Sequence, residues 1–238
     1  MAKINFGGVE EDVVTRDEFT LQQAREVLKN ETIAVIGYGV QAPAQALNLK
    51  DNGFNVIIGA RSHARALEDG WEPGKDLFSI EEAADKGTII LFLVSDAGQK
   101  QLWPTLKPHL KAGDALVFSH GFGIVFHDQM HIDPPTDIDV LLVAPKGSGL
   151  NVRRNFLSGA GINSSYAVHQ DATGGAQALA LSYAAGIGGT RAGAIETTFS
   201  EETETDLFGE QAVLCGGVSA LIKAAFGTLV EAGYQPEI

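Results

Sequence analysis

The sequence predicts a doubly wound α/β fold on a parallel sheet, followed by helix. Three observations carry this. The β-branched run Thr32-Ile33-Ala34-Val35-Ile36 leads into Gly37-Tyr38-Gly39-Val40-Gln41-Ala42, and a helical pattern opens behind it. Short apolar runs then alternate with helical segments as far as residue 168, the pattern of strands joined by crossover helices. Residues 88–94 are apolar after Thr88, as a strand covered on both faces requires.

Residues 1–31 read as an acidic leader with one short helix, 21–29. The first strand is 32–36, and the Gly-x-Gly-x-x-Ala turn after it is the dinucleotide fingerprint. Gly37 permits the tight turn, Gly39 lets a pyrophosphate approach the backbone, and Ala42 lets helix and strand pack closely. The pyrophosphate would rest on the free N–H groups of the helix 41–49. The competing reading is an ordinary tight turn. That helix ends near Asp51-Asn52-Gly53. Strand two is 54–58, and a helix at 81–85 stops at Gly87. Further strands are expected at 88–94, 115–118, 140–143 and 161–168. Right-handed crossovers put a ligand at the strands' carboxyl ends. A boundary near 192–199 gives domains over 1–192 and 193–238. Residues 201–231 read as helix broken at Gly216-Gly217. About forty residues make a poor independent core, so this piece should need a partner.

The 238 residues carry a formal net charge of −13 and one cysteine, Cys215. The charge disfavours nucleic acid or an anionic membrane as partner. A lone cysteine excludes an internal disulfide framework and suits a reducing compartment. Residues 1–8 lack signal-peptide character, and no uncharged apolar run is long enough to span a bilayer. The expectation is a soluble, cytoplasmic protein.

Strand two ends at Gly59-Ala60-Arg61-Ser62-His63-Ala64-Arg65, without the acid that usually meets NAD ribose hydroxyls. Arg61, Ser62 and Arg65 offer guanidinium groups and a hydroxyl to a 2′-phosphate, which favours NADP over NAD; a solvated basic loop is the plain alternative. His120 in Ser119-His120-Gly121-Phe122 follows a strand end, where glycines permit close approach of a ligand; a surface or core histidine is the alternative. Lys146 in Ala144-Pro145-Lys146-Gly147 could neutralise a developing oxyanion or sit in a solvated turn. Glu202, Asp206 and Glu210 stand four apart and share one helix face. Hard carboxylate oxygens there suit Mg²⁺, against an acidic solvated face. Cys215 reads as core.

Together these segments resemble ketol-acid reductoisomerase. The matching residues are Gly37-Tyr38-Gly39-Val40-Gln41, Asp69-Gly70-Trp71, Ser95-Asp96 with Gln99, and Ser119-His120-Gly121-Phe122. They continue with Ala144-Pro145-Lys146-Gly147, Gly161-Ile162-Asn163-Ser164-Ser165, and Glu202 through Asp206-Leu207-Phe208-Gly209-Glu210-Gln211. The resemblance implies a Rossmann domain followed by an all-helical, knotted domain. It implies NADPH, with NADH as the alternative, and two Mg²⁺. The implied reaction moves an alkyl group between adjacent carbons of 2-acetolactate or 2-aceto-2-hydroxybutyrate, then reduces the new ketone.

Carried over by motif, Asp206 would bridge the two Mg²⁺, Glu210 would bind one, and Glu202 would be a supporting acid. Lys146 and His120 would line the reacting centre. Gly37, Tyr38, Gly39, Val40 and Gln41 would cradle the pyrophosphate, and Arg61, Ser62 and Arg65 the adenosine phosphate. Ser95, Asp96, Gly121, Pro145 and Gly147 would face the ribose and nicotinamide. The family usually has Gly at Ala42, and its loop after Arg61 is often longer. It also continues beyond Pro236-Glu237-Ile238 into helices with two more metal-binding glutamates and a substrate-binding serine. The resemblance therefore implies a homodimer or higher homo-oligomer, and a chain that binds NADPH without efficient turnover alone. Two other readings stand beside it: another NADP-dependent hydroxyacid-type dehydrogenase, and a dinucleotide-binding module that is not an enzyme. Val213, Leu214, Val218, Leu221 and Ile222 are expected to be exposed and to favour association.

Overall fold

The structure, a computed structural model, describes residues 2–237. It divides into two compact units, one running to Phe199 and the other starting at Ser200.

The first unit opens with strands β1 (Ala2–Phe6) and β2 (Val9–Val14), then helix α1 (Leu21–Val27). The alternation proper follows: β3 (Ile33–Ile36), α2 (Ala42–Asp51), β4 (Val56–Gly59), α3 (Ala64–Glu68), β5 (Leu77–Phe78), α4 (Ile80–Lys86), β6 (Ile89–Phe92) and α5 (Asp96–Leu106). Then come β7 (Ala115–Phe118), α6 (Phe122–Val125), α7 (His127–Met130), β8 (Asp139–Pro145), α8 (Gly149–Leu157), β9 (Ser164–Gln170), α9 (Ala176–Ile187) and β10 (Ala194–Glu196). The described strands form one sheet in the order β1-β2-β10-β9-β8-β7-β6-β3-β4-β5.

The run from β5 to β8 is parallel throughout, as the crossover helices require. Beyond it the sheet is mixed, because β9 runs antiparallel to β8. The acidic leader is a correction to the sequence reading. It holds a β-hairpin as well as the expected helix. Phe6 pairs with Val9, and the two-residue loop Gly7-Gly8 has φ of 61° and 103°, the left-handed pair that a tight hairpin turn needs. Val13 and Val14 are buried, and β2 pairs with β10.

Alternate side chains of the central strands feed two cores, as period-two geometry dictates. Ile33, Val35, Ile58, Leu91, Val117 and Leu141 pack with Ala24, Ala46, Leu49, Ala180 and Ala184 of α1, α2 and α9. Ala34, Ile36, Ile90, Phe92, Leu116 and Leu142 pack with Ile80, Ala83, Trp103, Leu106 and Met130 on the other side. Small residues on α2 and α9 let these helices lie close to the sheet. Asn48 and Asn52 donate to the Ile187 and Gly186 carbonyls at 3.0 and 2.7 Å, tying α2 to the end of α9.

The second unit is helical: α10 (Phe199–Gly209), a π-helical turn over Glu210–Leu214, and α11 (Gly216–Glu231). The Cys215 N–H donates to the Glu210 carbonyl at 2.8 Å, five residues back. A Cβ at Gly216 or Gly217 would collide with the carbonyl oxygens of Gln211 and Ala212, so the glycine pair permits the wide turn. The helix is not broken at the glycines, as the sequence reading had it, but widened just before them. Cys215 is exposed, which corrects its reading as core. Val213, Leu214, Val218, Leu221 and Ile222 are all exposed, as expected. Because the π-turn keeps the two helices continuous, Phe199–Glu231 contains a window of mean hydropathy 1.8, long and apolar enough to cross a bilayer by length and composition, although Lys223 interrupts its apolar run.

Candidate functional site

The chain leaves β3 for β4 and β5 on one side, then crosses back to β6 on the other. The point between β3 and β6 is the topological switch of the sheet, where open α/β sheets bind ligands. The fingerprint turn sits there. Gly37 follows β3 with φ +94°, and a Cβ on it would collide with Val94 Cγ1 and lie 3.1 Å from the Leu93 carbonyl oxygen. Gly39 has nothing within 4 Å of where a Cβ would stand. Its open side faces a cleft of about 1210 Å³, ample for a dinucleotide.

Three loops build that cleft beside the turn. Gly37, Tyr38, Gly39, Val40 and Gln41 line one part, Arg61 and Ser62 after β4 another, and Ser95 and Asp96 after β6 a third, with Ser119 and His120 after β7. Ser95 caps α5 by accepting from the Gly98 N–H at 3.3 Å. Burial raises the Asp96 carboxyl above the ordinary carboxylate range, and the nearby His120 opposes that rise. Tyr38 donates to Asp69 at 2.8 Å and accepts from the Trp71 indole N–H at 2.7 Å. This explains why Asp69-Gly70-Trp71 accompanies the fingerprint.

The structure thus brings together ten of the residues singled out from sequence: Gly37, Tyr38, Gly39, Val40, Gln41, Arg61, Ser62, Ser95, Asp96 and His120. Arg65, Gly121, Pro145, Lys146 and Gly147 do not line the cleft. Arg65 Nη1 donates to the Gly39 carbonyl at 2.7 Å. The Gly147 carbonyl accepts from Gln41 Nε2 at 2.9 Å, so the Lys146 loop hangs on the fingerprint turn. A Cβ at Gly149 would collide with the Val40 carbonyl oxygen, so α8 also begins hard against that turn. Lys146 donates its own N–H to the Asn163 carbonyl at 2.8 Å. Ser79, Ile80, Glu81, Gln101, Leu102 and Thr105 line the cleft too. Sequence reasoning missed them, since neither β5, which Ser79 follows, nor α5, which carries Gln101, Leu102 and Thr105, was among the expected elements.

In the second unit, Glu202 and Asp206 lie on α10, and Glu210 opens the π-turn. Hard oxygen donors at this spacing have the chemistry that Mg²⁺ accepts.

Two family descriptions match the chain: the acetohydroxy acid isomeroreductase NADPH-binding domain over residues 27–193, and the ketol-acid reductoisomerase C-terminal domain over 199–238. The ketol-acid reductoisomerase (NAD(+)) of Desulfosudis oleivorans is 60% identical over 242 positions, spanning 99% of this chain and 68% of its own. The structure of an NADH-preferring ketol-acid reductoisomerase from an uncultured archean matches with a TM-score of 0.87 at 42% identity, covering 95% of this chain and 68% of that one. A semialdehyde dehydrogenase NAD-binding protein from Cupriavidus necator shares the fold at a TM-score of 0.67 and 19% identity, over 87% and 77% of the two chains. With both units matched and so close a relative, the chain belongs to the ketol-acid reductoisomerase family.

Proposed function

We propose that the protein carries out Mg²⁺-dependent alkyl migration and nicotinamide-dependent reduction, converting 2-acetolactate and 2-aceto-2-hydroxybutyrate to 2,3-dihydroxy acids for branched-chain amino-acid synthesis. The observation that carries this reading is the open fingerprint turn at the switch point of a chain 60% identical to a ketol-acid reductoisomerase. When bound, the dinucleotide supplies hydride and Mg²⁺ supplies Lewis acidity.

The chain's own residues position and exclude. Gly37 through Gln41 hold the pyrophosphate, with Gly39 leaving room for it. Arg61 and Ser62 receive the adenosine ribose, Ser95 and Asp96 face the ribose and nicotinamide, and Gly121, Pro145 and Gly147, outside the cleft lining, would approach the nicotinamide only from the neighbouring loops. Lys146 and His120 serve the reacting oxygen atoms, Lys146 by its positive charge. Asp206 and Glu210 hold Mg²⁺, with Glu202 as supporting acid.

For the cofactor we take NADH in preference to the NADPH that the Arg61 loop suggests. Arg65 is already engaged at the Gly39 carbonyl, which leaves one fewer guanidinium for a 2′-phosphate. Two relatives are named for NAD(+) or NADH. The apolar α11 belongs to a protein helical domain and a homo-oligomer rather than to a bilayer. The family match over 199–238 and the acids Glu201, Glu202, Glu204 and Asp206 in its leading helix support this. The cytoplasm is the corresponding compartment.

The test is cofactor oxidation by the purified protein with acetolactate, with each of NADH and NADPH, with and without Mg²⁺. Metal-dependent oxidation, faster with NADH, is the expected result. Dinucleotide binding without oxidation in any combination is the outcome that the sequence reading of this chain alone expects, and it overturns the reaction proposed here; faster oxidation of NADPH overturns the cofactor choice.

A further inference from the structure

A chain of polar side chains runs from the buried Gln45 and Tyr183 to the half-buried Gln41 and Ser119 at the cleft, and the proposed chemistry uses only its last member, Gln41. Gln45 is fully buried on α2, and Tyr183 on α9 is 1% exposed. The Tyr183 hydroxyl donates to Gln45 Oε1. Gln45 Nε2 donates to Gln41 Oε1 and to Ser119 Oγ, each at 3.2 Å. Gln41 Nε2 donates to the Gly147 carbonyl at 2.9 Å, and Ser119 donates to the Val143 carbonyl at 3.0 Å.

The direction of this relay is forced from its far end. A carbonyl only accepts, so Gln41 must turn its NH₂ group to Gly147 and its oxygen to Gln45. Gln45 must then present its NH₂ group, which leaves its own oxygen needing a donor. Tyr183 is that donor, and burial holds its phenol well above the usual range, so the proton stays. Reversing either amide would set two oxygens face to face in a buried site, where the cost is high.

We propose that Gln45 is a positioning residue that locks the fingerprint turn, the Ser119-His120 loop and the Lys146-Gly147 loop into one geometry for the dinucleotide. It acts through Gln41 and Ser119, and Tyr183 sets its orientation. The binding arm of this inference rests on the nicotinamide reading above; the relay itself does not.

The experiment compares wild type with Tyr183→Phe, Gln45→Met and the double variant. It reads NADH affinity by nicotinamide fluorescence, hydrogen exchange of segments 37–41 and 146–149 without cofactor, and thermal stability. Tyr183→Phe should weaken NADH binding about tenfold, the worth of one buried hydrogen bond. It should also speed exchange in both segments, which the lost oxygen does not touch. The double variant should bind no more weakly than Gln45→Met alone, since both act through one amide. Folded variants with wild-type affinity and wild-type exchange would overturn the proposal. If Gln45→Met does not fold, Tyr183→Phe decides alone, since it removes a single oxygen. A wild-type protein that binds neither dinucleotide defeats the functional reading, and the exchange data still judge the relay.

Discussion

The two glycines of the fingerprint should respond to alanine in opposite ways. At Gly39 a Cβ meets nothing within 4 Å, and the backbone is not left-handed. Alanine there restricts the unfolded chain at no cost to the fold, a gain of about 0.4–1 kcal/mol. At about 2–4 °C per kcal/mol for a unit of this size, the melting temperature should hold or rise by roughly 1–4 °C. The methyl group, however, fills space reserved for the pyrophosphate. An overpacking cost of about 1–3 kcal/mol corresponds to a loss of NADH affinity of roughly 5- to 150-fold. At Gly37 the same change meets φ +94° and the branched side chain of Val94. Left-handed backbone costs about 1–2 kcal/mol and overpacking about 1–3 kcal/mol, so melting should fall by roughly 4–20 °C. Scanning fluorimetry and NADH titration of both variants read the four values. A Gly39→Ala protein that binds NADH like wild type, or a Gly37→Ala protein as stable as wild type, would refute the reasoning.

Three further outcomes are expected. Tyr38→Phe leaves the indole N–H of Trp71, itself 1% exposed, without its acceptor; stability should fall by about 1–3 kcal/mol in urea, and an unchanged midpoint would count against the Tyr38–Trp71 pairing. Burial, and then the charge of His127, lower the His169 pKa below its ordinary value. The unfolded chain therefore binds the extra proton first, so the stability His169 contributes is present above about pH 6.5 and is lost as pH falls through that value toward the lower folded one. His169→Gln should flatten this slope in melts between pH 7.5 and 5. Asp206→Asn should abolish the Mg²⁺ dependence of cofactor oxidation while leaving NADH titration unchanged; oxidation that still rises with Mg²⁺ would remove Asp206 from the metal site.

The central sheet was legible because its strands are short, apolar and separated by helical runs. Strand 115–118 coincides with β7, and the others differ from their reading by a few residues at the ends. The hairpin at the start was not, since Glu10, Glu11 and Asp12 in β2 carry charge where a buried strand would be apolar. That strand lies near the sheet's edge, and only its last two residues enter the core. The cleft's glycines announced themselves through the fingerprint. Ser79 and Thr105 did not, because their residue types are common and only tertiary folding brings them to the cleft. The Gln45 relay was equally hidden, since Ser119 and Tyr183, two of its three partners, stand 74 and 138 residues away in sequence. The exposure of Cys215 could not be read from its apolar neighbours, which in this structure are themselves exposed.

The pairing of β2 with β10 reaches beyond architecture. Val13 and Val14 meet Ile195 and Ala194, so the two ends of the first unit are stitched to each other through its sheet. During synthesis the hairpin must wait until β10 has emerged before it gains its only inner neighbour among the described strands. Until then the inner edge of β2 is unpaired, open to pairing with another chain. Closing so long a loop comes late, after the local strand–helix–strand units have formed. The clasp then ties the opening hairpin to the last strand, so β2 cannot leave the sheet without baring the edge of β10.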